Sequence, residues 1–463
     1  MAVDTIFARA SGAGKAGVAV YRLSGPDAHK IFNKLVGKRI NNREAAYVAV
    51  RDPGDGSVID RGQIIDKGLA ILFEGPKSFT GEDVAELSLH GARAVEEALY
   101  DALTRLGARP AEAGEFTLRA LKNGKLDLAQ VEALADLIDS ETTLQRKQAL
   151  GQLDGRLSEV AEGWRKEILS VLAPLEADID FPDEGDVPAA VAARAGPAIA
   201  ALKTSLTTFL NQSISARKIR EGVSIAIIGP PNAGKSSLIN ALAGSDVAIV
   251  SDIAGTTRDI VETRLDLGVV ATIADTAGLR GMASDAIEEE GVKRARAKAK
   301  EADIRVLVID GSETVSCETL LSGLTENVPR ETLDLLQPGD IIVWNKSDRV
   351  SGGLSLDTKH SPYTELAISA KTGAGMAALL HALTDKAAEG AKTDGPALTR
   401  ARHIAAVEEA LAALTRAEAK IASAPELAAE DARLAARALG KITGAVGVED
   451  VLGEIFSSFC IGK

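Results

Sequence analysis

The sequence Gly229-Pro230-Pro231-Asn232-Ala233-Gly234-Lys235-Ser236 decides the fold of the central part of this 463-residue chain. It follows the apolar run Val223–Ile228 and precedes Ser237-Leu238-Ile239-Asn240-Ala241-Leu242, an order that predicts a strand, a glycine loop and a helix. Glycines let backbone N–H groups turn inward around phosphate oxygens, and the helix N-terminus adds its positive dipole end. Lys235 can reach the terminal phosphates, and the Ser236 hydroxyl can bind Mg²⁺. With both flanking elements present, the stretch predicts a nucleoside-triphosphate site rather than a chance glycine loop.

The base is indicated by a second motif, Asn345-Lys346-Ser347-Asp348, which ends an apolar stretch typical of a buried strand. The Asp348 carboxylate can accept two parallel hydrogen bonds from the N1–H and 2-amino groups of guanine, whereas adenine offers no such pair. The pattern also predicts that Asn345 braces the loop and that the stem of Lys346 covers the base. Farther along, Ser369-Ala370-Lys371 would place a backbone N–H near the guanine carbonyl oxygen. Together these segments predict GTP and disfavour a plain phosphate-loop ATPase.

Two segments between these motifs are predicted to respond to the γ-phosphate. Asp275-Thr276-Ala277-Gly278 follows the predicted strand Val269–Ala274, so its aspartate would meet the Mg²⁺ shell and its glycine the γ-phosphate. In Gly255-Thr256-Thr257-Arg258-Asp259, the Thr257 hydroxyl can ligate Mg²⁺ only when a γ-phosphate draws its loop inward. Leu279 stands where Ras-like enzymes carry a glutamine that orients the attacking water. Because leucine cannot orient water, the sequence requires another group or a bound cation.

Composition and charge set limits on the function. The formal net charge of −13 means that the surface as a whole does not indicate nucleic-acid binding, so any RNA contact must be local or shared with a partner. The sequence has no apolar run of about 18 residues and no basic-then-apolar leader, so we expect a cytoplasmic protein without membrane association. Cys317 and Cys460 cannot form a disulfide framework, which fits a reducing compartment. The five histidines show no metal-ligand spacing, so zinc is not expected.

Chain length and a change in hydrophobic period predict several domains. Residues 1–120 are typical of an α+β unit, residues 121–215 and 384–463 have a helical period, and residues 216–383 form an α/β module. Helices on both sides of the module imply that it is inserted into one helical domain. The predicted fold class is therefore α/β and α+β multidomain, with a Ras-like phosphate-loop GTPase module inside the helical domain. Strands predicted from apolar runs elsewhere are Gly17–Leu23, Gly68–Phe73, Asp83–His90, Val306–Ile309 and Ile341–Trp344.

Several helices are predicted from apolar residues at helical spacing. Asp127 and Gln130 have the spacing of a capping pair, and they precede a stripe of apolar residues over 131–138. A second stripe from Leu153 to Leu175 predicts one long helix, which would end at Asp180-Phe181-Pro182. Further stripes at the same spacing cover residues 199–209 and 404–414.

The order of these parts resembles the MnmE (also called TrmE) family of tRNA-modification GTPases over essentially the whole chain. The resemblance implies a homodimer formed through the N-terminal domain, with a one-carbon tetrahydrofolate (5-formyl or methylene) bound there. It also implies a heterotetramer with the FAD-containing MnmG (GidA) protein. Together the two proteins would add a carboxymethylaminomethyl or aminomethyl group to C5 of the wobble uridine of certain tRNAs. Beside the GTPase motifs, the resemblance rests on Arg22-Leu23-Ser24-Gly25, Ser78-Phe79-Thr80-Gly81-Glu82-Asp83, Gly114-Glu115-Phe116-Thr117, Lys125-Leu126-Asp127-Leu128-Ala129-Gln130, Asp180-Phe181-Pro182 and Phe459-Cys460-Ile461-Gly462-Lys463.

The resemblance places the family's folate contacts on Arg22, Glu86, Lys125 and Lys463. A carboxylate can pair with the edge of the pterin ring, and cations suit the glutamate tail of the folate. On pattern alone, Arg22, Glu86 and the nearby His90 would be ordinary ion-pair or surface residues.

The resemblance also implies that a bound K⁺ ion compensates for the missing glutamine. The ion would stabilise charge on the transferring phosphoryl group, where other enzymes use an arginine finger. Its predicted ligands are Asn232, Ser251, Ile253 and Thr256. Glu288 aligns with the acidic residue that positions the attacking water, the neighbouring Glu289 stays open, and Asn232 and Lys235 complete the predicted catalytic set. The predicted GTP contacts are Asn232, Ala233, Gly234, Lys235, Ser236, Ser237, Ser251, Asp252, Ile253, Ala254, Gly255, Thr256, Thr257, Asp275, Thr276, Ala277, Gly278, Asn345, Lys346, Asp348, Ser369, Ala370 and Lys371.

Two functions stay open at this point. In the first, GTP hydrolysis drives a conformational cycle during tRNA modification with the flavoprotein. In the second, the protein is a regulatory GTPase switch whose helical domain binds ribosomes or another assembly, and the N-terminal unit only dimerises. The predicted folate residues favour the first. Cys460 has two equal readings, as a nucleophile near a one-carbon unit or as a small packed residue in an apolar tail.

Overall fold

The structure is a computed structural model with two compact units. The first comprises Met1–Ala135, Gln152–Gly196 and Ala412–Lys463, and the second comprises Asp136–Gly151 and Pro197–Leu411. The division at 1–120, 121–215, 216–383 and 384–463 stays a prediction. Among the residues described, none of the helices is both long enough and apolar enough to cross a membrane. The described residues are 4–54, 62–180, 195–249, 263–274, 296–313, 328–350, 356, 361–389, 391, 395–447, 452–453, 455–456, 459 and 462.

A mixed sheet forms the N-terminal part of the first unit. Its described strands have the spatial order β3-β4-β5-β2-β1-β6, and all neighbours are antiparallel except β1 and β6. The three predicted strands in this region are confirmed, whereas the short β1, β3 and β6 were not predicted. The strands are β1 (Ile6–Arg9), β2 (Ala16–Ser24), β3 (Ala46–Arg51), β4 (Ile64–Phe73), β5 (Val84–Gly91) and β6 (Arg109–Pro110).

The two faces of this sheet differ. Helices α1 (Ala28–Val36) and α2 (Arg93–Arg105) bury one face, in a core that contains Phe7, Tyr21 and Leu87. Side chains alternate along a strand, so the neighbours of these core residues point to the opposite face, which we call the outer face. At the β1 end of the outer face, α3 (Glu115–Lys122) packs Phe116 against Ile6 and Ala8. Farther along, from β2 to β3, the sheet carries exposed apolar side chains, among them Tyr47 and Leu69.

The helices that follow begin with α4 (Leu128–Ile138), which is capped as predicted. Asp127 N–H donates to Gln130 Oε1 at 3.0 Å, and Gln130 N–H donates to Asp127 Oδ1 at 2.9 Å. The prediction of one helix from Leu153 to Leu175 is wrong, because the chain turns at Gly155, whose φ of +89° is left-handed. Leu153 therefore ends one helix, and the stripe continues on the next. These helices are α5 (Thr143–Leu153), α6 (Arg156–Asp180) and α7 (Ala195–Glu221).

A second sheet forms the α/β module in the second unit. Its described strands have the order β12-β11-β10-β7-β9-β8, and all neighbours are parallel except β8 and β9. The predicted strands of the module are confirmed, and β10 and β11 are buried on both faces, as parallel strands are. Its elements are β7 (Val223–Ile228), α8 (Lys235–Ala243), β8 (Thr263–Asp266), β9 (Val270–Ala274), β10 (Ile304–Asp310), α9 (Arg330–Leu333), β11 (Ile341–Asn345), β12 (Thr364–Ala367) and α10 (Met376–Ala388).

After the module the chain returns to helices, α11 (Ala401–Lys420) and α12 (Pro425–Thr443), over the predicted stripe and the Ala-rich stretch. Within the first unit, α12 packs along α6. Its buried face is made largely of small residues such as Ala428, Ala432, Ala435 and Ala438, which allow close approach of the two helix axes.

Candidate functional site

The phosphate loop begins where β7 ends, and its glycines are required by close contacts. Gly229 has φ +144°, and a Cβ there would lie 2.2 Å from the Val308 carbonyl oxygen of β10. Gly234 has φ +95°, and a Cβ there would lie 2.2 Å from Asn345 Nδ2. Asn232 is a non-glycine residue with a left-handed φ of +61°. Alanine would be excluded from both glycine positions.

Lys235 and the first turn of α8 complete the loop. Lys235 Nζ donates to the carbonyl oxygens of Gly229 and Pro230 at 2.8 Å each, which holds the ammonium against the loop. Ser236 and Ser237 follow in the first turn of α8 and are exposed. The arrangement of a left-handed Gly234 before a nine-residue helix presents backbone N–H groups and a hydroxyl at one point. Such a loop can cradle a polyphosphate and its Mg²⁺.

One asparagine joins the phosphate loop to both predicted guanine segments. Asn345 is 2% exposed at the end of β11. Its Nδ2 donates to the Ala233 carbonyl oxygen at 3.0 Å, and its Oδ1 accepts from Ala370 N–H at 3.1 Å. These bonds confirm that Asn345 braces the loop. Three chain segments, far apart in sequence, therefore meet at the carboxyl edge of the parallel sheet.

Asp348 lies beside this brace with its carboxylate exposed. Ser369, which is fully buried, donates its hydroxyl to Asp348 Oδ1 at 2.6 Å. This hydrogen bond lowers the pKa of Asp348 below its ordinary value. The carboxylate is therefore ionised and oriented, as an acceptor for the N1–H and 2-amino groups of guanine must be.

Asp310 is a residue of this edge that the sequence analysis missed. It ends β10 directly opposite Asn345, and Lys346 Nζ donates to its Oδ2 at 2.5 Å. Burial raises the pKa of Asp310, but hydrogen bonds from Lys346 and Ser312 outweigh it, so the net shift is downward. The pair fixes the stem of Lys346, whose backbone has a left-handed φ of +61°. Its position at the end of a strand could have been predicted, because Asp310 directly follows the apolar run 306–309.

Part of the predicted GTP site lies outside the described residues. This part includes the loop before the threonines, the segment after β9 and the predicted water-positioning acid. The residues concerned are Ser251, Asp252, Ile253, Ala254, Gly255, Thr256, Thr257, Asp275, Thr276, Ala277, Gly278 and Glu288, together with the alternative Glu289.

On the outer face of the N-terminal sheet, Arg22 and Glu86 form a direct cross-strand pair. Arg22 Nε donates to Glu86 Oε1 at 2.8 Å, and each side chain keeps about a fifth of its surface exposed (21% and 23%). The Arg22 Cζ atom lies 5.3 Å from the centre of the Phe79 ring and 5.8 Å from that of Phe116. A cation, a carboxylate and two aromatic rings thus converge at one place, and sequence reasoning had not connected the two rings to Arg22.

Lys125 packs on the loop that carries Phe79. Its Nζ donates to the Pro76 carbonyl oxygen at 3.0 Å, and its side chain lies against Gly81, where a Cβ would be 3.3 Å from Lys125 Cγ. Asn123 Nδ2 donates to the Thr80 carbonyl oxygen at 2.6 Å. Lys125 and Arg22 are therefore both attached to the segment 76–83.

The end of the chain packs on the same domain. Phe456 and Phe459 lie against Gly114, where a Cβ would be 2.6 Å from Phe456 Cδ1. Gly462 has φ +101°, and a Cβ there would be 2.0 Å from the Arg9 carbonyl oxygen at the end of β1. Cys460 and Lys463 lie outside the described residues.

Two protein-family models match this chain, one over its N-terminal region and one over the rest. Residues 5–125 match the model of the GTP-binding protein TrmE N-terminus, and residues 128–460 match that of the MnmE helical domain. The chain belongs to the MnmE family. It is a GTP-binding and GTP-hydrolysing member, in which the inserted module carries the phosphate loop and the Asn345 brace.

Curated relatives in the MnmE family align along the full length. The chain is 48% identical to "tRNA modification GTPase MnmE" of Parvibaculum lavamentivorans, over 100% of both chains. It is 45% identical to the protein of the same name from Caulobacter vibrioides, over 99% of this chain and 100% of that one. Among solved structures, a mutant NFeoB of S. thermophilus bound to GDP aligns at 20% identity with a TM-score of 0.25, over 51% of this chain and 95% of that one.

Proposed function

We propose that this MnmE-family GTPase acts in a K⁺-dependent cycle on tRNA, with a folate-derived carbon and a flavoprotein partner. The product would be a carboxymethylaminomethyl or aminomethyl group on C5 of the wobble uridine. The observation that carries the proposal is the Asn345 brace, because it holds a phosphate loop and a guanine-binding edge in one site. We infer a tRNA substrate from the name of the curated relatives, tRNA modification GTPase.

The phosphate loop has the donors that the two metal ions need. Ser236 is exposed in the first turn of α8, where its hydroxyl fits a Mg²⁺ ligand, with Thr257 as the second protein ligand. Asn232 is exposed with a left-handed backbone and is the described member of the proposed K⁺ set, which Ser251, Ile253 and Thr256 complete. When bound, K⁺ would neutralise charge that develops between the phosphates. Glu288 would orient the attacking water, since Leu279 cannot.

The outer face of the N-terminal sheet supports a folate site. Arg22 and Glu86 lie between two surfaces, the part covered by α3 and an exposed apolar patch. The partly exposed Phe79 ring beside Arg22 suits a flat heteroaromatic ligand, and the Glu86 carboxylate can accept from the amino edge of a pterin. Lys125, attached to segment 76–83, and Lys463, which directly follows Gly462, would meet the glutamate tail.

The same face supports a homodimer. Tyr47 and Leu69 are cross-strand partners that are 66% and 48% exposed, and Val18 on β2 is 61% exposed. Large apolar side chains clustered on one sheet face mark an interaction surface. A second copy of this chain would cover the patch and enclose the Arg22–Glu86 pair, so that the folate lies between protomers. The FAD-containing MnmG protein would join this dimer in a heterotetramer and help to hold tRNA, which the acidic chain does not attract through its overall charge.

The test of the GTPase part is hydrolysis by the pure protein in K⁺ and in Na⁺ buffer, without partner. We expect K⁺ to raise kcat by about 10-fold or more, as the removal of one comparable electrostatic donor costs about 100-fold or more in other enzymes. The variant Asn232→Gly keeps the left-handed backbone but removes the amide, so it should lose most of the K⁺ response. Equal rates in the two buffers would contradict the proposal and favour a switch that needs an external activating protein.

The test of the folate part is calorimetric titration with 5-formyl-tetrahydrofolate. Glu86→Gln, which removes the charge but not the shape, should weaken binding by about 10-fold, the usual effect of one lost charge-assisted hydrogen bond. The exposed Glu44→Gln on the same domain is the matched control. No binding to the wild type would remove folate from the proposal and leave the GTPase activity untouched.

A further inference from the structure

One carboxylate in the second unit contacts both ends of the GTPase module. Asp136 Oδ1, near the end of α4, accepts a hydrogen bond from Arg220 Nε at 3.0 Å and another from Arg400 Nη2 at 2.7 Å. The side chains of Asp136, Arg220 and Arg400 are 16%, 27% and 22% exposed, so the cluster is largely shielded from solvent. We call these three residues the Asp136 clamp.

The two arginines occupy matching places in the chain. Arg220 is in the last turn of α7, just before β7, which leads directly into the phosphate loop. Arg400 follows the module, immediately before α11. The clamp therefore joins the chain just before β7 to the end of the connection between α10 and α11.

Hydrogen bonds from α5 also hold the end of α7, the helix that leads into the GTPase module. Gln145 Nε2 donates to the Arg220 carbonyl oxygen at 3.1 Å, and Gln148 Nε2 donates to the Ala216 carbonyl oxygen at 3.2 Å. Gln145 Oε1 in turn accepts from the N–H of Thr142 and Glu141, at the start of α5. The last turns of α7 are thus fixed to the segment 136–151 by both charge and amide contacts.

We propose that Asp136 is a positioning residue that couples the nucleotide state of the module to the segment 136–151. The clamp holds only while both arginines share Asp136, because its Oδ1 atom is the acceptor that links the two guanidinium groups. A nucleotide-dependent movement of β7 or of the module's exit must carry α4 with it or break the clamp. Because such coupling is reciprocal, the clamp must also affect the relative affinities for GTP and GDP. This inference needs only the GTPase activity and goes beyond the proposed tRNA reaction.

The experiment measures the ratio of the dissociation constants for GDP and a non-hydrolysable GTP analogue, with hydrogen–deuterium exchange in both states. Asp136→Asn should change the ratio by about fivefold or more, the usual size of a coupling between sites. It should also abolish the difference in exchange between the two states over residues 136–151 and 213–221. The matched control is Asp139→Asn, which changes an exposed aspartate directly after the end of α4.

A second variant separates coupling from stability. Asp136→Leu combined with Arg220→Met and Arg400→Met removes all three charges, and such replacements often preserve or raise stability. Arg220→Met alone is a further single change, which removes one of the two guanidinium groups together with its 3.6 Å contact from Nη1 to Glu221 Oε1. The triple variant should fold yet still show the altered affinity ratio. A wild-type ratio in either folded variant, an equal change in the Asp139→Asn control, or no state-dependent exchange over 136–151 in the wild type would overturn the inference.

Discussion

Asn345 and Ala233 are joined by a hydrogen bond of 3.0 Å, in which a buried side-chain amide donates to a carbonyl oxygen of the phosphate loop. The other end of the amide accepts from Ala370 N–H at 3.1 Å. In the proposed GTP site, the phosphates would lie at the loop and the base at the segments after β11 and β12. The Asn345 amide therefore sets the distance over which phosphates and base are bound together.

Asn345→Ala should weaken GTP and GDP binding by about 10-fold or more, because it leaves the buried Ala233 carbonyl and the partly buried Ala370 N–H without their side-chain partner, at about 1–3 kcal/mol for a buried group. The measurement is titration with a fluorescent guanine nucleotide, with thermal unfolding recorded in parallel. Asn240→Ala changes an exposed asparagine of α8 in the same module and should leave affinity unchanged. Wild-type affinity in a folded Asn345→Ala protein would show that the brace does not contribute to binding.

Gly234→Ala tests the same contact from the loop side. The new Cβ would lie 2.2 Å from Asn345 Nδ2 at a φ of +95°, so the loop must shift or the amide must leave Ala233. We expect loss of nucleotide binding without unfolding of the N-terminal sheet, measured by equilibrium dialysis and circular dichroism. Gly244→Ala, at the end of α8, is the control, because its Cβ would lie at an ordinary 3.5 Å from its nearest neighbour, the Asn240 carbonyl oxygen.

The sequence predicted the GTPase module better than the N-terminal domain, for a physical reason. Strands such as β10 and β11 are buried on both faces and appear as continuous apolar runs. Strand β3 alternates between the core and the outer face, and β1 is only four residues long, so neither has a clear signal. Contacts such as Lys346–Asp310 and Arg22–Phe79 join distant segments, and no local pattern specifies them. At Gly155 the local pattern was misleading, because the apolar stripe continues without a break although the chain turns there.

Base selectivity should depend on Asp348. Asp348→Asn turns one acceptor into a donor, so the amide can pair with N1–H and the 2-carbonyl of xanthine but faces the 2-amino group of guanine with its own NH₂. We expect hydrolysis of GTP to fall by about 100-fold or more and that of xanthosine triphosphate to rise. The exposed Asp246→Asn on the same module serves as the control. An unchanged preference for GTP would remove Asp348 from the base site.

Acid stability of the N-terminal domain should depend on Arg119, which donates to Asp4, Glu82 and Glu115. Hydrogen bonds from Arg109, and then from Arg119, lower the pKa of Asp4. Burial raises the pKa of Glu115, but hydrogen bonds led by that from Arg109 lower it more. Carboxylates with lowered pKa values stabilise the fold above their ordinary values of 3.8 and 4.5, and this stabilisation is lost as the pH falls through the lower folded values.

Arg119→Met should therefore destabilise the protein most near neutral pH, and the difference from the wild type should shrink below about pH 4. Urea unfolding of both proteins across this pH range measures the effect. Arg93→Met, which removes an exposed ion pair with Glu97, should change stability little at any pH. A constant difference between wild type and Arg119→Met at all pH values would mean that packing of the arginine stem, and not its charge, matters.

Dimerisation should depend on the exposed apolar patch of the outer face. Leu69 is 48% exposed between Tyr47 and Ser88 in the sheet, and a symmetric interface would bury it once in each protomer. Leu69→Asp removes about 1 kcal/mol of apolar burial per protomer, since only half of the leucine is left to bury, and it places two carboxylates in the interface. Light scattering coupled to gel filtration should show the dimer mass for the wild type and the monomer mass for the variant. Leu427→Asp, at a leucine of α12 that is 54% exposed, should stay dimeric. A wild-type monomer, or a dimeric Leu69→Asp protein, would place the self-association surface elsewhere or remove it, and the proposed folate site would then have to be complete within one chain.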